Sequence, residues 1–377
     1  MKRIALLKSH FKNQGGLEKY TDRLAREFAE RGLEVSILTS HPAPTSVDPS
    51  IRFVPFSIPK WPLFLRMEVF DRKCEKWVRK NKPDIVFGLD RNRHQTHIRA
   101  GNGVHRAFLD SRMDTEGIPK RVLCSINPHH RKILKLEQKA FESEGLKKLF
   151  TNSYMVKSQI LHYYRTDPKK ISVMHNGVEW QEMEQDFSIW EERKREVAHR
   201  WDLDPDAFHF LFVGSGFLRK GLEKLLQGLS ELPDQNFHLS VLGKDNKMRS
   251  FEQLSEKLNL AQKVRFFGTQ KNARSFYQLA DVLVIPSFYD PFANVTVEAL
   301  AMGLFVVSSR TNGGSEVLTE ENGTVIDDLL SRKRMVESLK RAMDRPKTRK
   351  SSEKIRQSVK HLDFSRQLNA LIEETLE

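Results

Sequence analysis

Cysteine is almost absent, with only Cys74 and Cys124 in 377 residues. Two thiols supply neither a disulfide framework nor a metal-ligand spacing, which suits a reducing compartment and leaves one structural pair open. Long apolar runs are missing too, and none approaches the ~20 residues that a bilayer-crossing helix needs. The basic start MKRIALLKSHFKNQGG contains IALL as its apolar core, too short for a signal peptide. There is no zinc-ligand spacing, no nucleophile-elbow serine, no repeat of solenoid period and no low-complexity tract. Acid is scarce in one half. Residues 1–180 hold 34 Lys+Arg against 19 Asp+Glu, a net +15, whereas residues 181–377 hold 29 against 30, a net −1. Such a basic half suits an anionic partner, whether membrane lipid, nucleic acid or a phosphorylated substrate; the alternative is a solubilising surface.

What is present reads as two α/β domains, since this length exceeds what one core usually serves. RIALL is a short buried strand. LEKYTDRLAREFAERG then puts Leu17, Tyr20, Leu24 and Phe28 on one helical face, with Gly32 at the C-terminal cap. EVSILTS and PDIVFGLD are further strands. The second half repeats the alternation from FHFLFVGSGFLRKG through LEKLLQGLSEL, FHLSVLG, FEQLSEKLNL, KVRFFG, ARSFYQLA and DVLVIPS to FVVSS. Strand, glycine-bearing loop, helix, strand implies a parallel sheet, so two doubly wound, Rossmann-like domains are expected. We place the first at 1–180 and the second at 181–361, with a helix over about 362–377 that packs back on the first or frays. The charged, tryptophan-rich stretch 180–206 reads as a linker, and the Asp-x-Asp of its DLDPD is not taken as a metal site. Ligands of doubly wound sheets bind beyond the carboxyl ends of the strands. A cleft between two facing domains is the default position.

Three segments could carry chemistry there. GSGFLRKG (Gly214–Gly221) follows a strand and opens a helix; its small residues, with Arg219 and Lys220, suit a diphosphate. A tight turn with a solvated basic helix start is the other reading. NQGGLEKY repeats the device with Gly15 and Gly16, under the same two readings. YDPFANVTVEALAMG places Asp290 in the loop after DVLVIPS and Glu298 one turn into a helix capped by Asn294. The amides of Phe292, Ala293, Asn294 and Val295 would then face a ligand. Carboxylates accept paired hydrogen bonds, which suits vicinal sugar or ribose hydroxyls. Asp290 as a turn residue and Glu298 as a solvated helix position remain the plainer alternatives. IPKWPLFLRMEVFDRK interleaves Trp61, Phe64 and Leu65 with Lys60 and Arg66, either for core packing or for a lipid interface.

The array FVGSGFLRKG, VLG, RFFG, DVLVIPSFYDPFANVTVEALAMGLFVVSS, NGGSEV and NGTVI resembles the second domain of the retaining glycosyltransferases of family 4, which have the GT-B fold. GGLEKY and NSYMVKSQI…ISVMHNGVE extend the likeness over most of the chain, and it is similar to lipopolysaccharide-core enzymes that add glucose to heptose. The resemblance implies that Arg219 and Lys220 meet the donor diphosphate, with Gly214, Gly15 and Gly16 close to it, and that Glu298 meets the ribose. The family's Glu-x7-Glu is here Asp290-x7-Glu298. The first acid would meet the donor sugar, with its oxygens drawn back by about 1.5 Å. His105, in RAGNGVHRAFL, matches a first-domain residue near the reacting sugar, or is structural. The implied substrates are a nucleotide sugar, a UDP-hexose such as UDP-glucose, and an anionic glycolipid or glycan acceptor. No cofactor and no metal are expected, and no nucleic acid. The expected location is cytoplasmic, peripheral on an anionic inner membrane surface. A GT-B sugar phosphorylase and a nucleic-acid-binding protein are the rival readings.

Overall fold

A computed structural model describes residues 1–10, 16–42, 48–59, 61–116, 127–232 and 235–377. Gly15, Lys60 and Cys124 lie outside these residues. The chain forms two compact units, Met1–Met174 with Leu368–Glu377, and His175–Gln367.

The first unit holds seven strands: β1 (Arg3–Leu7), β2 (Glu34–Thr39), β3 (Ile51–Pro55), β4 (Ile85–Gly88), β5 (His97–Arg99), β6 (Lys148–Thr151) and β7 (Ile171–Val173). All pair in parallel, in the order β3-β2-β1-β4-β5-β6-β7. Parallel strands covered on both faces read as apolar runs, and Ile4 to Leu7 are accordingly buried throughout. The helix Gly16–Glu30 turns Leu24, Ala25 and Phe28 inward, and Gly32 ends it with φ +81°, where L side chains are strained. The terminal helix Phe364–Leu376 reaches this unit with its last residues. Glu374 accepts from Lys148 Nζ (2.7 Å) and Ser172 Oγ (2.6 Å), and Asn369 accepts from Arg31 (2.9 Å).

The second unit holds β8 (Phe208–Val213), β9 (Phe237–Leu242), β10 (Val264–Gly268), β11 (Val282–Ile285), β12 (Phe305–Ser309) and β13 (Gly323–Ile326). Their order is β10-β9-β8-β11-β12-β13, again all parallel. The winding reverses between β8 and β11, and such a switch point leaves a crevice beyond the two carboxyl ends. GSGFLRKG follows β8 and SFYDPFAN follows β11, so the topology alone brings these two segments together.

One expectation needs correction. Residues 180–206 are no linker: helices Glu184–Ser188 and Trp190–Arg200 pack into the second unit, whose core includes Trp180, Phe187 and Trp190. Tryptophans that bury this much area belong to a core, whatever the charge of their neighbours. The segment that opens IPKWPLFLR, left open between core and surface, divides into exposed and buried residues. Trp61 is 81% exposed, with Leu63, Phe64 and Leu65 also exposed, while Phe70 and Cys74 further along the helix Leu63–Asn81 are buried. No described helix is long and apolar enough to cross a membrane.

Candidate donor-binding site in the second unit

After β8 the chain turns sharply. The turn is held by Lys220 N–H to Gly216 O (3.0 Å) and by Phe288 N–H to Arg219 O (2.8 Å). Gly221 caps the helix Leu222–Leu229 at φ +78°, and a Cβ there would lie 1.9 Å from Pro286 O. Only glycine lets the β8 turn approach the β11 loop this closely. At Gly214 the absence of a side chain leaves room for the stem of Lys220, whose Cε would sit 3.2 Å from an added Cβ.

Both cations of the turn converge on one acid. Arg219 NH1 donates to Asp290 Oδ2 at 2.9 Å and to Tyr289 O at 2.7 Å, and Lys220 Nζ lies 2.7 Å from the same Oδ2. Lys220 and Asp290 are 8% and 7% exposed. Burial pushes the Asp290 carboxyl up, but the two cations more than reverse this and hold it below its ordinary value. For Lys220 burial dominates and draws the ammonium down, opposed by Asp290. Net charge in the cluster is one positive, beside a turn that presents small residues.

Asp290 is itself tied by backbone: its N–H donates to Thr311 O (3.0 Å), and its O accepts from Gly313 N–H (2.9 Å). Between those residues Asn312 is fully buried. Its Oδ1 accepts from Ala293 N–H and Gly314 N–H, both at 3.0 Å, and its Nδ2 donates to Ser308 Oγ (2.9 Å) and Thr296 Oγ1 (3.3 Å). A single amide thus locks the Asp290 loop to the end of β12. Sequence reasoning missed it, although the NGG after a strand marked a tight turn.

The helix Asn294–Ala301 begins one residue earlier than expected. Its cap is Ala293, not Asn294, which stands at the first helical position and accepts from Asn176 Nδ2 at 2.6 Å. Asn312 does the holding that a capping side chain would do, by taking the Ala293 amide. That amide is consequently not available to a ligand, and Phe292 and Ala293 are buried, whereas Asn294 is exposed and Val295 half-buried. Glu298 is half-buried one turn on, and its Oε2 accepts from Tyr277 OH at 2.8 Å. The buried Tyr277, also missed, anchors the acid from the helix Arg274–Leu279. His175 pairs with Glu316 at 3.0 Å and stands 5.6 Å from the Phe292 ring.

Arg219, Lys220, Asp290, Phe292, Ala293, Asn294, Val295 and Glu298 therefore surround one carboxyl edge, next to Gly214. The remaining candidates belong to the first unit. Gly16 starts a helix, and Gly15 lies outside the described residues. His105 opens the helix His105–Glu116, with its N–H on both oxygens of the buried Glu137 (2.9 Å each) and Nε2 3.1 Å from His130 Nδ1. Burial, reinforced by Arg91 and His130, lowers its pKa to about 3, so the ring is neutral at physiological pH.

Comparison with known proteins matches a family model to most of each half of the chain. Residues 194–359 match the model of glycosyl transferases group 1, and residues 14–182 match that of glycosyltransferase family 4, so the two cover most of the chain. The lipopolysaccharide glucosyltransferase WaaG of Escherichia coli (strain K12) is 27% identical over 229 residues, 59% of this chain. That alignment spans 60% of the enzyme's own length, and those with two other curated relatives span less than half of theirs. A crystal structure of WaaG superposes with a TM-score of 0.79 at 20% identity, covering 99% of both chains. Anabaena HepE in complex with UDP and glucose gives 0.68 at 16%, covering 100% of this chain and 99% of the other. These likenesses establish the fold as GT-B, two parallel-sheet α/β domains. The chain belongs to the group 1/family 4 glycosyltransferases.

Proposed function

We propose that this chain is a retaining glycosyltransferase of lipopolysaccharide-core assembly, moving a hexose from a UDP-sugar to a core or other lipid-linked glycan. The observation that carries the reading is the pair Arg219 and Lys220 meeting on Asp290 at the switch point, with Glu298 one turn away. Two cations held in a crevice stabilise a departing diphosphate, and an acid on a helix behind them suits a ribose. The names of the relatives, a lipopolysaccharide glucosyltransferase and a UDP- and glucose-bound structure, support glucose as the donor sugar. The acceptor binds the basic first unit. Attack comes from the face the diphosphate leaves, whose phosphate takes the acceptor's proton; Arg219 and Lys220 carry the leaving charge without a resident metal. A melting-temperature screen of UDP-glucose, UDP-galactose, GDP-mannose and ADP-glucose tests this, since a ligand of the folded state raises apparent stability. A rise with UDP-sugars alone is expected; stabilisation by none of them overturns the reading.

The protein works at the cytoplasmic face of an anionic membrane, which Trp61, Leu63, Phe64 and Leu65 enter while Lys76 and Lys80 stay exposed on the same helix. Replacing Trp61 and Phe64 together by serine should cut binding to phosphatidylglycerol-containing vesicles by about tenfold or more. Sedimentation reads this, with melting unchanged because both rings face solvent. Undiminished binding removes this face from the interface.

A further inference from the structure

The Asp290 side chain presents one oxygen to two cations. Oδ2 takes Arg219 and Lys220, while Oδ1 accepts no hydrogen bond among the described residues. Asp290 is the acid that pairs with Lys220, and the other charged group acting on that ammonium is Arg219, which repels it. Lys220 is almost wholly buried, with its stem laid against Gly214. An ammonium so placed persists only while an anion faces it. We propose that Asp290 is the resident counter-ion that keeps Lys220 charged and aimed before the donor arrives, so that it acts on the diphosphate through Lys220. This rests on the reading that the second unit binds a nucleoside diphosphate, and it makes Asp290 a positioning residue in addition to any contact with the sugar.

The consequence is a proton linkage that contact with a sugar hydroxyl would not produce. Without the carboxylate, Lys220 stands beside Arg219 with no anion, and its proton is lost at lower pH. A diphosphate must then bring the proton back on binding. The direction follows from charge alone: removing an anion favours the neutral amine.

UDP, which carries no sugar, separates the two roles. Its affinity for the whole protein is measured by calorimetry across about pH 7–9.5 in wild type, Asp290→Asn and Asp290→Glu. In Asp290→Asn the affinity should begin to fall at least one pH unit below the point where wild type does. The slope should be about tenfold per unit, as for one linked proton. Asp290→Glu, which keeps the charge, should follow wild type. Adding Lys220→Arg to Asp290→Asn should abolish the dependence, because a guanidinium stays charged. Asp290→Ser carries the same expectation as Asp290→Asn should the amide fold poorly. Coincident pH profiles in wild type and the neutral variants overturn the counter-ion role while leaving the donor site standing. Failure of wild type to bind UDP in a range where another nucleoside diphosphate binds moves the same test to that nucleotide. Failure of UDP, GDP and ADP alike overturns both readings.

Discussion

Lys220→Ala should lower turnover by about 10²-fold or more, the loss typical of a removed transition-state charge partner. The reason lies in timing. A diphosphate gains charge as the sugar departs, and a buried ammonium interacts with that new charge across little water. The ground-state donor carries less of it, so kcat should fall more than KM rises. The fold should survive the change, because Asp290 keeps Arg219 NH1 at 2.9 Å and two backbone hydrogen bonds. Steady-state transfer from labelled UDP-glucose, beside a melting curve, checks this. Normal turnover in a folded Lys220→Ala protein would remove the residue from the reaction.

The second large effect falls on stability and far from the site. Arg356 is 1% exposed, and its guanidinium donates to Ala301 O, to Trp180 O (2.6 Å) and to Glu184 Oε2 (2.7 Å). It also stacks 4.0 Å from the Trp180 ring and 4.9 Å from Phe187, and Trp180 Nε1 donates back to Arg356 O at 3.1 Å. One side chain thus fastens the entry helices of the second unit to the helix Arg349–Ser358. Arg356→Ala strands two carbonyls and opens a cavity, at about 3 kcal/mol or more. For a unit of this size that is a fall of about 6–12 °C in melting temperature. Lysine should recover little, since one ammonium cannot span three acceptors and has no planar face to stack. A fall under ~2 °C would mean that solvent satisfies the carbonyls, against the burial seen here.

Periodicity carried much of the architecture because parallel strands are buried on both faces and their helices on one. Apolar runs such as DVLVI and stripes such as Leu24–Phe28 have few other foldings. Arg219, Lys220, Asp290 and Glu298 could be named because they sit in loops and first turns after such strands. Other features left weaker marks. The tryptophans at 180 and 190 looked like parts of a charged linker, because local composition does not say which surface a ring will meet. Asn312 and Tyr277 are ordinary letters in their own segments, and they matter through partners 16 to 21 positions away. The start of the helix after Asp290 shifted by one residue for the same reason: a distant amide, not the adjacent asparagine, secures Ala293.

By itself the sequence determined the fold class, the carboxyl-edge position of the two acids and two bases, and the uneven charge of the halves. These follow from short-range pattern, where each residue's environment is set by its neighbours in the chain. The tertiary structure decided that Arg219 and Lys220 share one oxygen of Asp290. That pairing depends on β8 lying beside β11, and on a glycine at 221 that lets the two loops nearly touch. No local rule contains that juxtaposition, because strand order is chosen by packing over the whole sheet.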